Sequence, residues 1–562
     1  MKKKLVAAIL AAGMVIASLS GCGSSASVGS ESSASGETSA SQETSDAAQT
    51  GGQETAQITG SGKAPEGTGI TVGLSSNVSS LAPFDRGTLY TKAFQYEIFE
   101  TLGTVTSDGE LEYGIMKSYE IVDDYTYNIE IYDYVYDSAG VHFTASDAKF
   151  CFEQFAGLGT AYALIDSIEV VDDYNFTIHL TSTTLTEFYD LISDVFMLTE
   201  ESYNNSGDGM ATSPVGTGPY VVKEFVGSSY LVLEKNDNFW QTDEDLIPKK
   251  YKANIDYIRF DFITESTQMD IALDLGTVQA AWDLDSSLVD SYKENDGFTV
   301  YEADGGIVRY LAFNGTENSV FADNEALRKA IIYAIDRESL MSICIGEGKG
   351  YVPNAFASKM SIDYNTDWDT QEYYTYDLEK AKEYMEEAGY ADGGLELTIL
   401  ATSTTMNNTM CEVLQSQLSE IGISLKIVTE DTSTFNVDWD ATVGTYDLLL
   451  TSAASKAYVP VTWASFLDGR TRSSGLTIFG VEDATLQSML EEATDPSTYS
   501  VELVNEIQDY LVDTAYMTTL FDNYRYTISV AEVENVWINT YGMAYPVFGA
   551  STYSSSYSYT VD

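Results

Sequence analysis

The 562-residue chain predicts a mixed α/β fold with more than one hydrophobic core, and three observations carry that reading. From residue 66 to the end the sequence is rich in Tyr, Phe and Trp and patterned throughout, a length that calls for two or three subdomains. Two segments, 122–131 and 171–180, echo each other. In each, a turn-forming Asp-Asp pair, Asp123-Asp124 or Asp172-Asp173, precedes a run that alternates apolar and polar residues, as a half-buried antiparallel strand does. Beyond residue 320 helical and strand patterns alternate instead.

The elements follow in order. The two echoing segments predict two similar hairpins in one sheet. Between them Ser146 and Asp147 can cap a helix whose apolar face includes Ala148, Phe152 and Phe155. Asp323 is the expected cap of one long helix over 325–343, with Leu327, Ile331 and Ile335 on one face and Gly346 just past its end. Asp377 opens a helix through Met385 that stops at Gly389, and a third helix over 406–421 ends at Gly422. Strands are expected at 395–400, 423–428 and 447–450.

The N-terminus reads differently. Lys2, Lys3 and Lys4 precede fifteen mostly apolar residues, then Leu19, Ser20, Gly21 and Cys22. A basic start, a short apolar core and small residues before a cut make a secretory signal, too short for the roughly 20 apolar residues of a spanning helix. The order resembles the lipobox of bacterial lipoproteins, so residues 1–21 are expected to be removed and Cys22 to be lipidated on sulfur. Residues 23–65 are Ser, Gly, Thr, Ala, Gln and Glu with no aromatic residue, a disordered tether. As a flexible coil it would span roughly 35 Å. The chain is thereby expected on the extracytoplasmic face of a cell membrane, held by lipid.

Composition excludes several classes. With 86 acids against 28 Lys and Arg, the body lacks the basic clusters that phosphate recognition needs, so no nucleic-acid partner is expected. Only His142 and His179 are present, both in strand-like segments, and no cysteine pair has zinc spacing; no metal and no cofactor are expected. Cys151, Cys344 and Cys411 are left as free thiols. There is no Gly-x-Ser-x-Gly elbow, and the two histidines leave few Ser/His/Asp combinations.

Ser213, Pro214, Val215, Gly216, Thr217, Gly218, Pro219 and Tyr220, followed by Leu233, Asn236, Phe239 and Trp240, resemble the "PVGTGPY … L-x-x-N-x-x-Y/F-W" block of family 5 extracellular solute-binding proteins, the peptide and nickel receptors of ABC importers. Further blocks agree in order: Tyr310 to Asn314, Leu327 to Ile331 with Ala334 to Arg337, Asp377 to Tyr390, Gln417 to Ile423, and Tyr446 to Leu448. Pro214 and Pro219 bracket glycines suited to a constrained turn, and no Walker lysine follows to make it a phosphate loop.

The resemblance implies a two-lobed, periplasmic-binding-protein-like α/β fold of type II, similar to cluster C, with an extra subdomain in the first lobe. Mapped onto this chain, residues 1–21 are the signal peptide and 22–65 the lipidated cysteine and linker. Lobe I is 66–98 with 213–300 and 521–562, its inserted subdomain is 99–212, and lobe II is 301–520. The hinge is expected near 295–305 and again near 515–525. It implies a non-catalytic, monomeric receptor that closes on an oligopeptide or similar small solute and presents it to an ABC permease and ATPase complex. An oligosaccharide is the alternative ligand, and an extracellular hydrolase or an adhesion module the alternative of another class.

Relatives that bind peptides hold the α-amine with an aspartate after the "YDL" strand. Here that stretch reads Thr451, Ser452, Ala453, Ala454, Ser455, Lys456, Ala457, Tyr458, with Lys456 the only charge, and 401–410 offers no cation for a carboxylate. The expected ligand-binding residues are therefore Thr451, Ser452, Ala453, Ala454, Ser455, Lys456 and Tyr458 in a strand-end loop, with Trp463, facing Ser75, Ser76 and Asn77 after the first strand. Arg309 is expected to reach the cleft from the hinge side. With Lys456 it would give a positive pocket inside a negative body.

Overall fold

The computed structural model describes residues 68–533 apart from 85–88, 107–109, 157–164, 182, 184, 283, 372, 471 and 473, together with the backbone of 537–539 and 547–549. Cys22, the signal segment and the linker lie outside the described residues.

Two large sheets divide the molecule. The first is ordered Phe298–Asp304, Asp522–Val530, Ala280–Trp282, Gly69–Leu74, Tyr257–Phe262, Tyr230–Lys235, Tyr220–Val226, with Gly350–Tyr351 also pairing on Asp522–Val530. Gly69–Leu74 lies parallel to both its neighbours and is buried at all six positions, as expected of a strand covered on both faces. The second sheet is ordered Ile423–Glu430, Leu395–Thr402, Leu448–Ala454, Ile307–Phe313, Met517–Thr519. Helices Glu325–Ala334, Leu378–Glu387, Thr405–Ser419, Val459–Leu467 and Val501–Thr514 pack their apolar faces into this sheet's core, which includes Leu311, Ile331, Leu414, Trp463 and Leu511.

The chain crosses between the sheets at residues 305–306, between Phe298–Asp304 and Ile307–Phe313, and at 520–521, between Met517–Thr519 and Asp522–Val530. Gly305 is required at the first crossing, because a Cβ there would lie 2.0 Å from the Asn523 carbonyl oxygen. The two crossings run side by side, joined by hydrogen bonds from the Leu520 amide to the Arg309 carbonyl and from the Arg309 amide to the Phe521 carbonyl. We call the bodies built on the first and second sheets the first and second lobes.

The echoing hairpins share one four-stranded sheet, ordered Met116–Asp123, Thr126–Ile131, Asn175–Leu180, Ile165–Val170. Their turns are built alike: Asp123 accepts a hydrogen bond from the Tyr125 amide and Asp172 from the Tyr174 amide, each at 2.9 Å. The helix between them, Ala145–Ala156, starts two residues earlier than a cap at Ser146 would allow. Thr144 precedes it, and Asp147 reaches back to accept from both the Thr144 amide at 2.8 Å and the Thr144 hydroxyl at 2.7 Å, the return half of a capping box. Ile129, Phe152 and Ile178 belong to the same core as Val72 and Phe260, so this sheet is fused to the first lobe. Gly216, in the Pro-Val-Gly-Thr-Gly-Pro turn, packs on the chain at Ile98, where a Cβ would meet the carbonyl oxygen at 2.1 Å.

The long helix expected over 325–343 is two helices, Glu325–Ala334 and Arg337–Ile345. Ile335 is extended, and Asp336 caps the second helix through the Ser339 amide, while Asn324 rather than Asp323 caps the first. An aspartate held in a cap conformation competes with continued helix, and here the cap wins. Cys151 and Cys411 are buried and Cys344 half-buried; all three are free thiols.

Candidate functional site

The strand Leu448–Ala454 carries four of the expected site residues further than the sequence suggested. Its ladder with Ile307–Phe313 continues to the end, pairing Thr451 with Tyr310, Ser452 with Arg309, Ala453 with Val308 and Ala454 with Ile307. The loop is therefore shorter than expected and begins at Ser455. Period-two alternation leaves Ser452 and Ala454 exposed and Thr451 and Ala453 half-buried.

The loop itself is fixed by hydrogen bonds to second-lobe neighbours. The Ser455 amide donates to the Gly306 carbonyl at 2.7 Å, which ties the loop to the first crossing. Ser361 donates to the Lys456 carbonyl at 2.9 Å, and the Lys456 amide donates to the Thr462 hydroxyl at 2.8 Å. Tyr458 opens helix Val459–Leu467 without a side-chain cap of its own. Asp363 supplies the cap, accepting from the Val459 amide at 2.8 Å, and burial lifts its carboxyl to about 6.

Trp463 does not present its ring to a cleft. It is fully buried, and its Nε1 donates to the Phe356 carbonyl at 2.7 Å. The reason is local: Val459, Trp463 and Leu467 recur every four residues on the inner face of one helix, so the ring is carried into the core.

Ser75 and Ser76, half-buried, and Asn77, exposed, follow the strand Gly69–Leu74 in the other lobe. The described contact between the lobes near the loop is apolar: Val105, Leu111 and Tyr189 of the first lobe meet Ala457 and Tyr458 of the second. Beside it stands a set of charges. On helix Glu187–Asp194, Asp190 is pushed up to about 6 by burial, against the pull of Lys456 from the other lobe. For Asp194 burial opposes ionisation, but Lys92 at 3.0 Å, helped by Lys456 and Lys250, holds the carboxyl below its usual range. Tyr96 donates to the same carboxylate at 3.3 Å, and the Lys250 ammonium sits 3.0 Å from the centre of the Tyr96 ring.

These neighbours correct the positive pocket. Lys456 is exposed but faces Asp190 and Asp194 across the lobes. Arg309 is half-buried beside the two crossings, donates to Asn523 at 2.9 Å, lies over the Phe521 ring and acts on the Asp522 carboxylate. Both cations are met by acids, so the lobes face each other with mixed charge. Asp190, Asp194 and Lys92 were not anticipated. The one signal was the four-residue spacing of Asp190 and Asp194, which places both on one helix face, and among 86 acids such spacing carries no weight.

The family model for bacterial extracellular solute-binding proteins, family 5 Middle, matches residues 110–474. Among curated proteins, the glutathione-binding protein GsiB of Salmonella paratyphi A is 23% identical over 374 residues, 64% of this chain and 69% of that protein. GsiB of Escherichia coli K12 is 22% identical over 375 residues, with the same coverage. Among solved structures, the oligopeptide-binding protein AppA from Bacillus subtilis, in complex with a nonapeptide, superposes with a TM-score of 0.68 at 17% identity, covering 88% of this chain and 100% of that one. DppA from Helicobacter pylori, in complex with the peptide STSA, gives 0.69 at 22% identity over 87% and 99%. These structures share the two-lobed fold of the periplasmic binding proteins.

Proposed function

The chain belongs to the bacterial extracellular solute-binding proteins of family 5, and from that premise we propose that it captures an oligopeptide between its lobes and delivers it to an ABC permease. The observation that supports this reading most is the pairing of two sheets through two adjacent crossings, with the loop at Lys456 set against the helix Glu187–Asp194 of the other lobe. A ligand that touches both lobes favours the closed state by its differential contacts, and the closed state is what a permease can distinguish.

In this reading Ser75, Ser76 and Asn77 line one wall. Arg309, Thr451, Ser452, Ala453, Ala454, Ser455, Lys456 and Tyr458 line the other, with Trp463 buried behind that wall as its support. A mixed-charge wall and exposed strand-end residues suit a peptide bound through its backbone polar groups and a zwitterionic character. No catalytic step is required. The protein acts as a monomer tethered to the membrane through the Cys22 thioether, and among the described residues no helix is long and apolar enough to cross a membrane.

Two measurements test the assignment. A thermal-shift screen over peptides of two to nine residues should find members that raise the melting temperature with dose. Cys22→Ala should move the protein out of the detergent phase, and unchanged partitioning would remove the anchor from the account.

A further inference from the structure

A second surface of the first lobe has the chemistry of a binding site, and no second-lobe residue lines it. Seven rings cluster there, from the exposed Tyr134 and Tyr136 to Trp240, which is buried and belongs to the first-lobe core. Trp240 lies 5.9 Å from Phe239, 5.9 Å from Tyr132 and 5.7 Å from Tyr134, centre to centre. Further on, Tyr136 lies 4.9 Å from His142, which lies 5.9 Å from Tyr174. Between the two groups is a depression of about 540 Å³ walled by Tyr134, Tyr136 and Trp240 and floored by the turn at Asp137. Tyr134 and Tyr136 are 39% and 44% exposed, although large apolar rings gain by burial.

The rings are held in place before anything binds. Trp240 Nε1 donates to the buried Glu100 carboxylate at 2.5 Å. His142 Nε2 lies 3.0 Å from the Asp133 carbonyl oxygen, close enough to donate to it. Asp137 locks the turn: one oxygen accepts from the Ala139 and Val141 amides, the other from the Thr199 and Ser202 hydroxyls. A preformed aromatic wall gives up little conformational entropy on binding.

We propose that this surface is a second site, distinct from the cleft, for a neutral oligosaccharide. A pyranose offers an apolar C–H face to an aromatic ring and a rim of hydroxyls to polar groups. Here the exposed rings of Tyr134 and Tyr136 supply the first need. The exposed Asn238 amide, which makes no side-chain hydrogen bond among the described residues, and the half-buried Ser138 supply the second. Charge disfavours an anionic ligand, and the lining offers a cation no open carboxylate. No lysine or arginine lines the depression, and the chain carries a formal charge of −58, so anionic polymers are repelled. Asp137, the one acid among the residues that line the depression, has both oxygens engaged by four donors and so gives a cation no direct ion pair.

The test is calorimetry on the mature chain with cellohexaose, maltohexaose and chitohexaose, with tryptophan fluorescence as a second readout. At least one should bind. Tyr134→Ala with Tyr136→Ala should weaken it about tenfold or more, while Tyr134→Phe stays within about twofold because the ring rather than the hydroxyl makes the contact. Both tyrosines are surface residues, so the melting temperature of these variants should be unchanged. Ser452→Trp in the cleft should leave sugar binding intact, which separates this site from the peptide site. The proposal is overturned if no neutral hexasaccharide binds at about 10 mM, or if binding survives the double alanine variant. It is equally overturned if that variant instead loses coupling to the permease in proteoliposomes, which would make the rings a protein-docking surface.

Discussion

Arg309 in the second lobe donates a 2.9 Å hydrogen bond to Asn523 in the first, so the lobes are bridged by a side chain as well as by the chain crossings. The same guanidinium acts on Asp522, one residue away, which is fully buried. Arg309→Ala removes the bond and leaves a buried carboxylate without its countercharge. A loss of about 2–3 kcal/mol in urea unfolding is expected. Arg309→Lys should recover part of it. No change in either variant would mean the bridge contributes nothing.

Asp522 predicts a pH dependence. Burial raises its carboxyl to about 6, with Arg309 opposing that rise, Asp304 adding to it, and Ile307, Tyr351 and Ser358 as polar neighbours. A group whose folded value lies above its unfolded one stabilises fully below the unfolded value, near 4, and that contribution is lost as pH rises through 6. Asp190 and Asp363, also about 6, work in the same direction. Asp522→Asn should therefore be more stable than the parent at pH 7.5, by up to roughly 3 kcal/mol, and should lose that advantage at pH 4. Equal stability differences at both pH values would contradict the assignment.

Trp463 should behave as a core residue. Trp463→Ala is expected to cost about 3–5 kcal/mol, and Trp463→Phe less, since it loses the bond to Phe356 but keeps most of the volume. Under conditions where both variants are folded, their ligand affinity should stay near that of the parent. A large affinity loss in a folded Trp463→Phe protein would move the ring back to the binding surface.

Lys456 and the pair Asp190 and Asp194 should be coupled across the lobes. Because Lys456 is exposed, Lys456→Gln should change ligand affinity only about two- to fivefold, and the effect should shrink at high salt. In a double-mutant cycle with Asp190→Asn the two changes should be non-additive. Strict additivity would show that they do not meet in the bound state.

Much of this was legible in the sequence, where local signals and tertiary demands agreed. The Asp-Asp turns fixed both hairpins, because the same carboxylate-to-amide bond forms whatever the sheet packs against. The failures lie where a partner outside the segment decides. Residues 451–454 are small and read as loop, yet Ile307–Phe313 extends the strand over them. Trp463 was expected at the cleft beside the strand-end loop, yet Pro460 sits in the first turn of a helix, where it is tolerated, and the ring turns inward. Asp336 broke a helix whose apolar period ran straight through it. Among the site residues, the acids facing Lys456 had only their four-residue spacing as a local signal, too common among 86 acids to single them out, and only the fold brings the two distant segments together.

The central claim is capture of a peptide by closure of two lobes, and small-angle scattering of the mature chain with and without a peptide from the thermal-shift screen tests it most directly. The account predicts a saturable decrease in radius of gyration on titration, with a midpoint matching the calorimetric Kd, and loss of both in Ser452→Trp. Peptide binding without any decrease in radius, or binding and compaction that survive Ser452→Trp, would contradict it.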